Sequence, residues 1–144
     1  MLAIDTNVLL RYMLWDDPLQ AQKAAQLING DTPVLITDAV LVETLWTLKG
    51  KKYRLAKPEL IEVVSKLFEE PQICFEDAPT VWRALHDYRQ ATPVKVSGKK
   101  KGADFADALI VNKANYCATR QGAPFEGVYT FDLAARSLPG TATP

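Results

Sequence analysis

With 144 residues, 48% of them hydrophobic, the chain has length for one ordinary globular domain that buries most of its apolar surface, and no second domain fits. Its 17 basic and 17 acidic residues cancel, which argues against a strongly basic nucleic-acid-binding surface. Two cysteines without CxxC spacing and a single histidine argue against a zinc site or a disulfide scaffold and suggest buried thiols at Cys74 and Cys117. An acid at Asp5, where a signal peptide needs a basic start, and the lack of any apolar stretch near 18 residues lead to the expectation of a soluble cytoplasmic protein.

Residues 2–5 read as a short buried strand, and Thr6-Asn7 supply cap chemistry for a helix through Val8, Leu9, Leu10, Tyr12 and Met13. Pro18 opens a second helix carrying Ala21, Ala24, Ala25, Leu27 and Ile28, which Asn29-Gly30 stops. Val34-Leu35-Ile36 is a second strand. Thr37-Asp38 then cap a helix over residues 39–49, with Leu41, Leu45 and Leu48 in one stripe and Glu43 its only acid. Lys57-Pro58 begin a fourth helix, which Pro71 breaks before a strand at Ile73-Cys74-Phe75. Asp77-Ala78-Pro79 start a fifth through Val81, Trp82, Leu85 and Tyr88.

The stretch 93–102, with Gly98 and Gly102 around Lys99-Lys100-Lys101, shows no apolar period and reads as a loop. It leads into a helix from Asp104 to about Arg120, apolar around most of its circumference and therefore expected to be central and heavily buried. Residues 128–131 close the pattern as a fourth strand, and residues 139–144 form a Thr/Pro/Gly-rich tail expected to fray. Strands alternating with helices predict an α/β fold, a three-layer α/β/α sandwich around a short, mostly parallel sheet, spanning residues 1–138. Its ligand site should lie beyond the carboxyl ends of the strands.

Four acids sit in apolar runs: Asp5 after Leu2-Ala3-Ile4, Glu43 among Val40-Leu41-Val42, Asp107 before Ala108-Leu109-Ile110, and Asp132 after Val128-Tyr129-Thr130-Phe131. Burying isolated carboxylates is costly, so a shared cation is the expected remedy, and oxygen ligands select Mg²⁺ or Mn²⁺. Asp104, three residues before Asp107, shares its helix face near the positive end of the dipole. Plainer roles compete: Asp5, Asp104 and Asp132 each stand where a helix cap is expected, and Glu43 could be an exposed helical glutamate paired with a lysine. Setting aside these five acids leaves twelve acids against 17 basic residues, a modest positive field able to attract a polyanion. Arg11, Trp15, Lys51, Lys52, Arg54 and Lys99–Lys101 are the surface candidates for it.

Taken together, Ile4-Asp5-Thr6-Asn7-Val8-Leu9, Val42-Glu43, Asp104-Phe105-Ala106-Asp107-Ala108-Leu109-Ile110 and Thr130-Phe131-Asp132 resemble, in order and spacing, the PIN-domain ribonucleases and, among them, the VapC-type toxins of type II toxin-antitoxin pairs. The resemblance implies that Asp5, Glu43, Asp107 and Asp132 are the metal-binding and catalytic acids, with Asp104 an additional metal-site acid. Thr6 matches the hydroxyl residue that supports the first aspartate, and Thr6 with Lys99, Lys100 and Lys101 are the substrate-binding candidates. It further implies Mg²⁺ (or Mn²⁺) as cofactor, phosphodiester hydrolysis in structured RNA such as transfer RNA, a cognate antitoxin protein as partner, homodimerisation, and contact with DNA only through the antitoxin. His86 is read as a surface or packing residue, so no histidine base is invoked. Two rivals remain open. A haloacid-dehalogenase-like phosphatase would need an acid where Asn7 stands, and a non-catalytic module would use the acids to receive basic residues of a partner.

Overall fold

The computed structural model describes residues 1–144. Within the span read as one domain, the residues gather into two compact units, Met1–Glu76 and Asp77–Pro144.

The first unit holds β1 (Leu2–Ala3), α1 (Thr6–Leu14), α2 (Pro18–Ile28), β2 (Val34–Ile36), α3 (Asp38–Lys49), α4 (Lys57–Glu69) and β3 (Ile73–Phe75). Its three strands form one parallel sheet with β2 central, Leu2 opposite Val34 and Val34 opposite Ile73. Parallel strands need crossovers, and the two helices between each pair of strands supply them. Local chemistry sets the helix starts. Asp17 accepts from Gln20 N at 3.1 Å ahead of Pro18, and Thr37 accepts from Val40 N at 3.3 Å. Helical spacing puts Leu41, Leu45 and Leu48 of α3 in the interior with Leu9, Ile28, Ile36, Leu60 and Val64.

One expected cap moves by a residue. The N-cap of α1 is Asp5, whose Oδ1 accepts from Val8 N at 3.0 Å, and Thr6 begins the helix itself. Three strand carboxyl ends therefore feed acids into the same edge of the sheet: Asp5 after β1, Asp38 after β2 and Glu76 after β3. Asp38 N donates to Glu76 Oε2 at 2.5 Å.

The second unit holds α5 (Ala78–Gln90), β4 (Val94–Val96), β5 (Lys99–Lys101), α6 (Phe105–Arg120), β6 (Val128–Tyr129), a 3₁₀ turn at Ala135–Ser137 and β7 (Thr141–Ala142). Asp77 caps α5 through Thr80 N at 3.0 Å and also accepts from the Thr80 hydroxyl. That bonding, with desolvation opposing it, holds the Asp77 carboxyl below its usual range. Tyr88 of α5 meets Phe105 of α6 edge-on, with ring centroids 6.0 Å apart.

Five expectations are revised here. Lys99–Lys101 are a strand, paired antiparallel with Val94–Val96, because Ser97 and Gly98 take left-handed backbone (φ 52° and 79°) and close a two-residue hairpin turn. The fourth strand β6 does not extend the three-stranded sheet; it pairs in parallel with β7, so part of the tail expected to fray is hydrogen-bonded. Only the first half of α6 is deeply buried, at Phe105, Ala106, Ala108, Leu109, Val111 and Asn112, whereas Ile110 is 55% exposed. Cys117 on the same helix is exposed, and Cys74 is half-buried. The α/β class with a short, mostly parallel sheet stands.

Gly140 shows why the tail is held. A Cβ there would lie 2.9 Å from Val111 Cγ1, and the residue sits at φ 86°. Gly140→Ala is therefore expected to lower unfolding stability by about 1–3 kcal/mol. Gly122, at φ 67° with nothing within 4 Å, is the control: if Gly122→Ala shifts the urea midpoint equally, the close approach to Val111 contributes nothing.

Candidate active site

In the first unit Thr6, the residue after Asp5, ties the start of α1 to Glu43. The strand end and N-cap position turn Asp5 toward Val8 N, while the Thr6 hydroxyl in the first turn of α1 donates to Glu43 Oε2 on α3 at 2.6 Å. Thr6 was expected to support the first aspartate, Asp5; the acid its hydroxyl bonds is Glu43 instead. Glu43 therefore pairs with a threonine, not with a lysine. Beside Asp5, a groove between α1 and α2 is lined by Asn7, Val8, Arg11, Gln20, Lys23 and Leu27. Lys23 was missed by the sequence reading; its place in an otherwise alanine-rich helix carried no motif.

The second unit places Asp104 and Asp107 at the start of α6. Asp104 is the N-cap, and its N–H donates to Asp107 Oδ2 at 2.9 Å. Asp107, one turn into this apolar helix, thus closes the helix start. Burial, with the negative Asp104 nearby, pushes the Tyr88 phenol up to about 12, so it stays neutral at physiological pH. Asp132 accepts from Ala134 N at 2.9 Å and Ala135 N at 3.5 Å, while its own N–H donates to Thr130 Oγ1 at 3.0 Å. Phe131, between them, is 82% exposed.

The premise of buried carboxylates is corrected. Asp5, Glu43 and Asp132 are exposed, and Asp104 and Asp107 are only half-buried. Apolar flanks misled because Asp5 and Asp107 occupy positions at helix starts while Ile4 and Ala108 beside them turn in, and because the apolar neighbours of Asp132 are themselves exposed. Desolvation therefore does not compel a cation. The donor set still suits one, since carboxylate oxygens are hard ligands. Within either unit, however, no three acidic, histidine or cysteine side chains are gathered closely enough to hold a metal ion.

The other surface candidates divide. Arg11 is ion-paired with Asp16, which raises the guanidinium further and holds the Asp16 carboxyl low. Tyr53 also donates to Asp16 at 3.4 Å, and Lys52 lies 5.2 Å from the Tyr53 ring centroid. Trp15 is 51% exposed. His86 is exposed on α5 beside Trp82, Arg83, Asp87 and Asn112. No helix is long and apolar enough to cross a membrane.

The chain belongs to the PIN-domain family: the family model matches residues 2–132, a span that contains Asp5, Glu43, Asp104, Asp107 and Asp132. It is thereby a nuclease by family. Among solved structures it is similar to VapC20 of Mycobacterium tuberculosis, a toxin that cleaves the sarcin-ricin loop. The alignment covers 95% of this chain and 94% of that one, with 13% identity and a TM-score of 0.40. No curated protein sequence matches the chain significantly.

Proposed function

We propose that the protein is a Mg²⁺- or Mn²⁺-dependent endoribonuclease, the toxin of a type II toxin-antitoxin pair, acting on structured RNA with transfer RNA among its substrates. The observation that carries this reading is the family match over residues 2–132, a span that contains Asp5, Glu43, Asp104, Asp107 and Asp132. Asp5, Asp104, Asp107 and Asp132 would hold the metal, with Glu43 a further catalytic acid, and the ion would supply Lewis-acid polarisation of the phosphate and a lowered pKa for the attacking water.

The chain's own residues do the positioning. Thr6 orients Glu43, the backbone N–H groups of Val8 and Ala134 fix one oxygen each of Asp5 and Asp132, and Asp104 N–H fixes Asp107. For Asp5 and Asp132 these donors engage Oδ1, so that Oδ2 could serve another ligand. The lysine-bearing hairpin of β4 and β5 supplies positive charge to the RNA backbone. Cleavage by water leaves a 5′ phosphate and a 3′ hydroxyl and requires no histidine base. A cytoplasmic location, a homodimer, a cognate antitoxin and DNA contact only through that antitoxin complete the reading.

Incubation with total RNA tests it. Cleavage with Mg²⁺ that stops in EDTA is expected. Hydrolysis of phosphomonoesters without RNA cleavage would move the assignment to the phosphatase class. Absence of any metal-dependent turnover would leave the acids, of which Asp5, Glu43 and Asp132 are exposed, as a docking surface for basic residues of a partner.

A further inference from the structure

We propose that the β4–β5 hairpin is a two-faced ribbon whose Lys95/Lys100 face, and not its Lys99/Lys101 face, takes the phosphate backbone of the RNA. The inference rests on the ribonuclease reading and narrows it. Val94 stands opposite Lys101, Lys95 opposite Lys100, and Val96 opposite Lys99. Residues directly opposite in an antiparallel pair share a face, and successive residues alternate faces. Lys99 and Lys101 therefore share a face with the half-buried Val94 and Val96, while Lys95 and Lys100 share the opposite face; all four lysine side chains are exposed. The pleat splits a tripeptide that reads as one patch in the sequence, and it adds Lys95, four residues upstream.

Two ammonium-bearing chains placed directly opposite each other repel, with Cβ atoms only about 4.5–5.5 Å apart. Between residues 91 and 103 there are four lysines and no acidic residue, and neither Lys95 nor Lys100 has an ion-pair partner. The register is fixed by the Ser97-Gly98 turn, with positive φ at both positions, so the repulsion is not escaped by slipping one residue. A polyanion lying along this face satisfies both charges at once and releases its own counterions in doing so.

RNA binding is measured against salt with protein carrying Asp5→Asn to prevent cleavage. Lys95→Ala/Lys100→Ala is expected to lower the slope of log K against log[salt] by about 1.4 for single-stranded RNA, and Lys99→Ala/Lys101→Ala to change it by much less. Lys95→Glu, which can pair with Lys100 across the strands, should bind more weakly than Lys95→Ala while melting no lower. Equal losses in both double variants, or a larger loss for Lys99/Lys101, overturn the face assignment. If the parent binds RNA with a clear salt slope and the Lys95/Lys100 variant matches it, the ribbon assignment alone fails. If the parent neither binds RNA nor, with Asp5 restored, cuts it, the ribonuclease reading fails with it.

Discussion

Asp5→Asn is expected to abolish metal-dependent RNA cleavage while leaving the fold in place, and Asp107→Asn to do the same. Each asparagine keeps a side-chain oxygen for the bond the aspartate now accepts, from Val8 N at 3.0 Å and from Asp104 N at 2.9 Å. Asparagine and aspartate are near-equal as N-caps, so the α1 start should survive, less at most about 0.3–1 kcal/mol of charge–dipole energy. What goes is the charge. Groups that merely orient a metal ligand account for about 10–100-fold in activity, so loss of a ligand itself should exceed that range. Asp5→Ala separates the two roles, because it should lose activity and also about 0.5–2 kcal/mol of stability with the cap. Turnover of the Asn variants within tenfold of the parent, measured with Mg²⁺ on the same RNA, would remove these acids from the chemistry and leave them as caps.

Thr6→Val is the second large effect. It deletes the hydroxyl that donates to Glu43 Oε2 at 2.6 Å and keeps the β-branched shape in the first turn of α1. Glu43 is exposed, so water replaces the lost donor and unfolding stability should move by no more than about 0.5 kcal/mol. Activity should fall about 10–100-fold, as for other partners that orient a catalytic carboxylate. The Mg²⁺ concentration for half-maximal activity should rise, and Thr6→Ser should restore both. A Thr6→Val enzyme with parental rate and parental Mg²⁺ dependence would show that the bond to Glu43 does not position it for catalysis.

The sequence alone determined what depends on short-range periodicity and on cap and turn chemistry. All six helices were legible, because Pro18, Pro58 and Pro79 near helix starts, Asp or Thr at most caps, and apolar spacing near 3.6 leave few alternatives. The three strands of the parallel sheet were legible as short apolar runs, and the acidic residues of the family pattern were named from their order and spacing. Val94 and Val96 also carried a period-two signal, but three consecutive lysines, poor strand formers in isolation, hid it.

The tertiary structure decided what depends on contacts distant in sequence or on the direction of a side chain. Strand pairing made β7 out of a Pro/Gly-rich tail through its bonds to β6, and no local propensity reports such a partner. It also decided the exposure of the acids. A carboxylate flanked by Ile4 or Ala108 looks buried in a linear string, but alternate residues of a strand and neighbouring residues of a helix point in different directions, so the apolar neighbours turn inward while Asp5 caps α1 and Asp107 caps α6. The bond from Thr6 to Glu43 spans 37 positions, and only a folded chain brings those two side chains within reach.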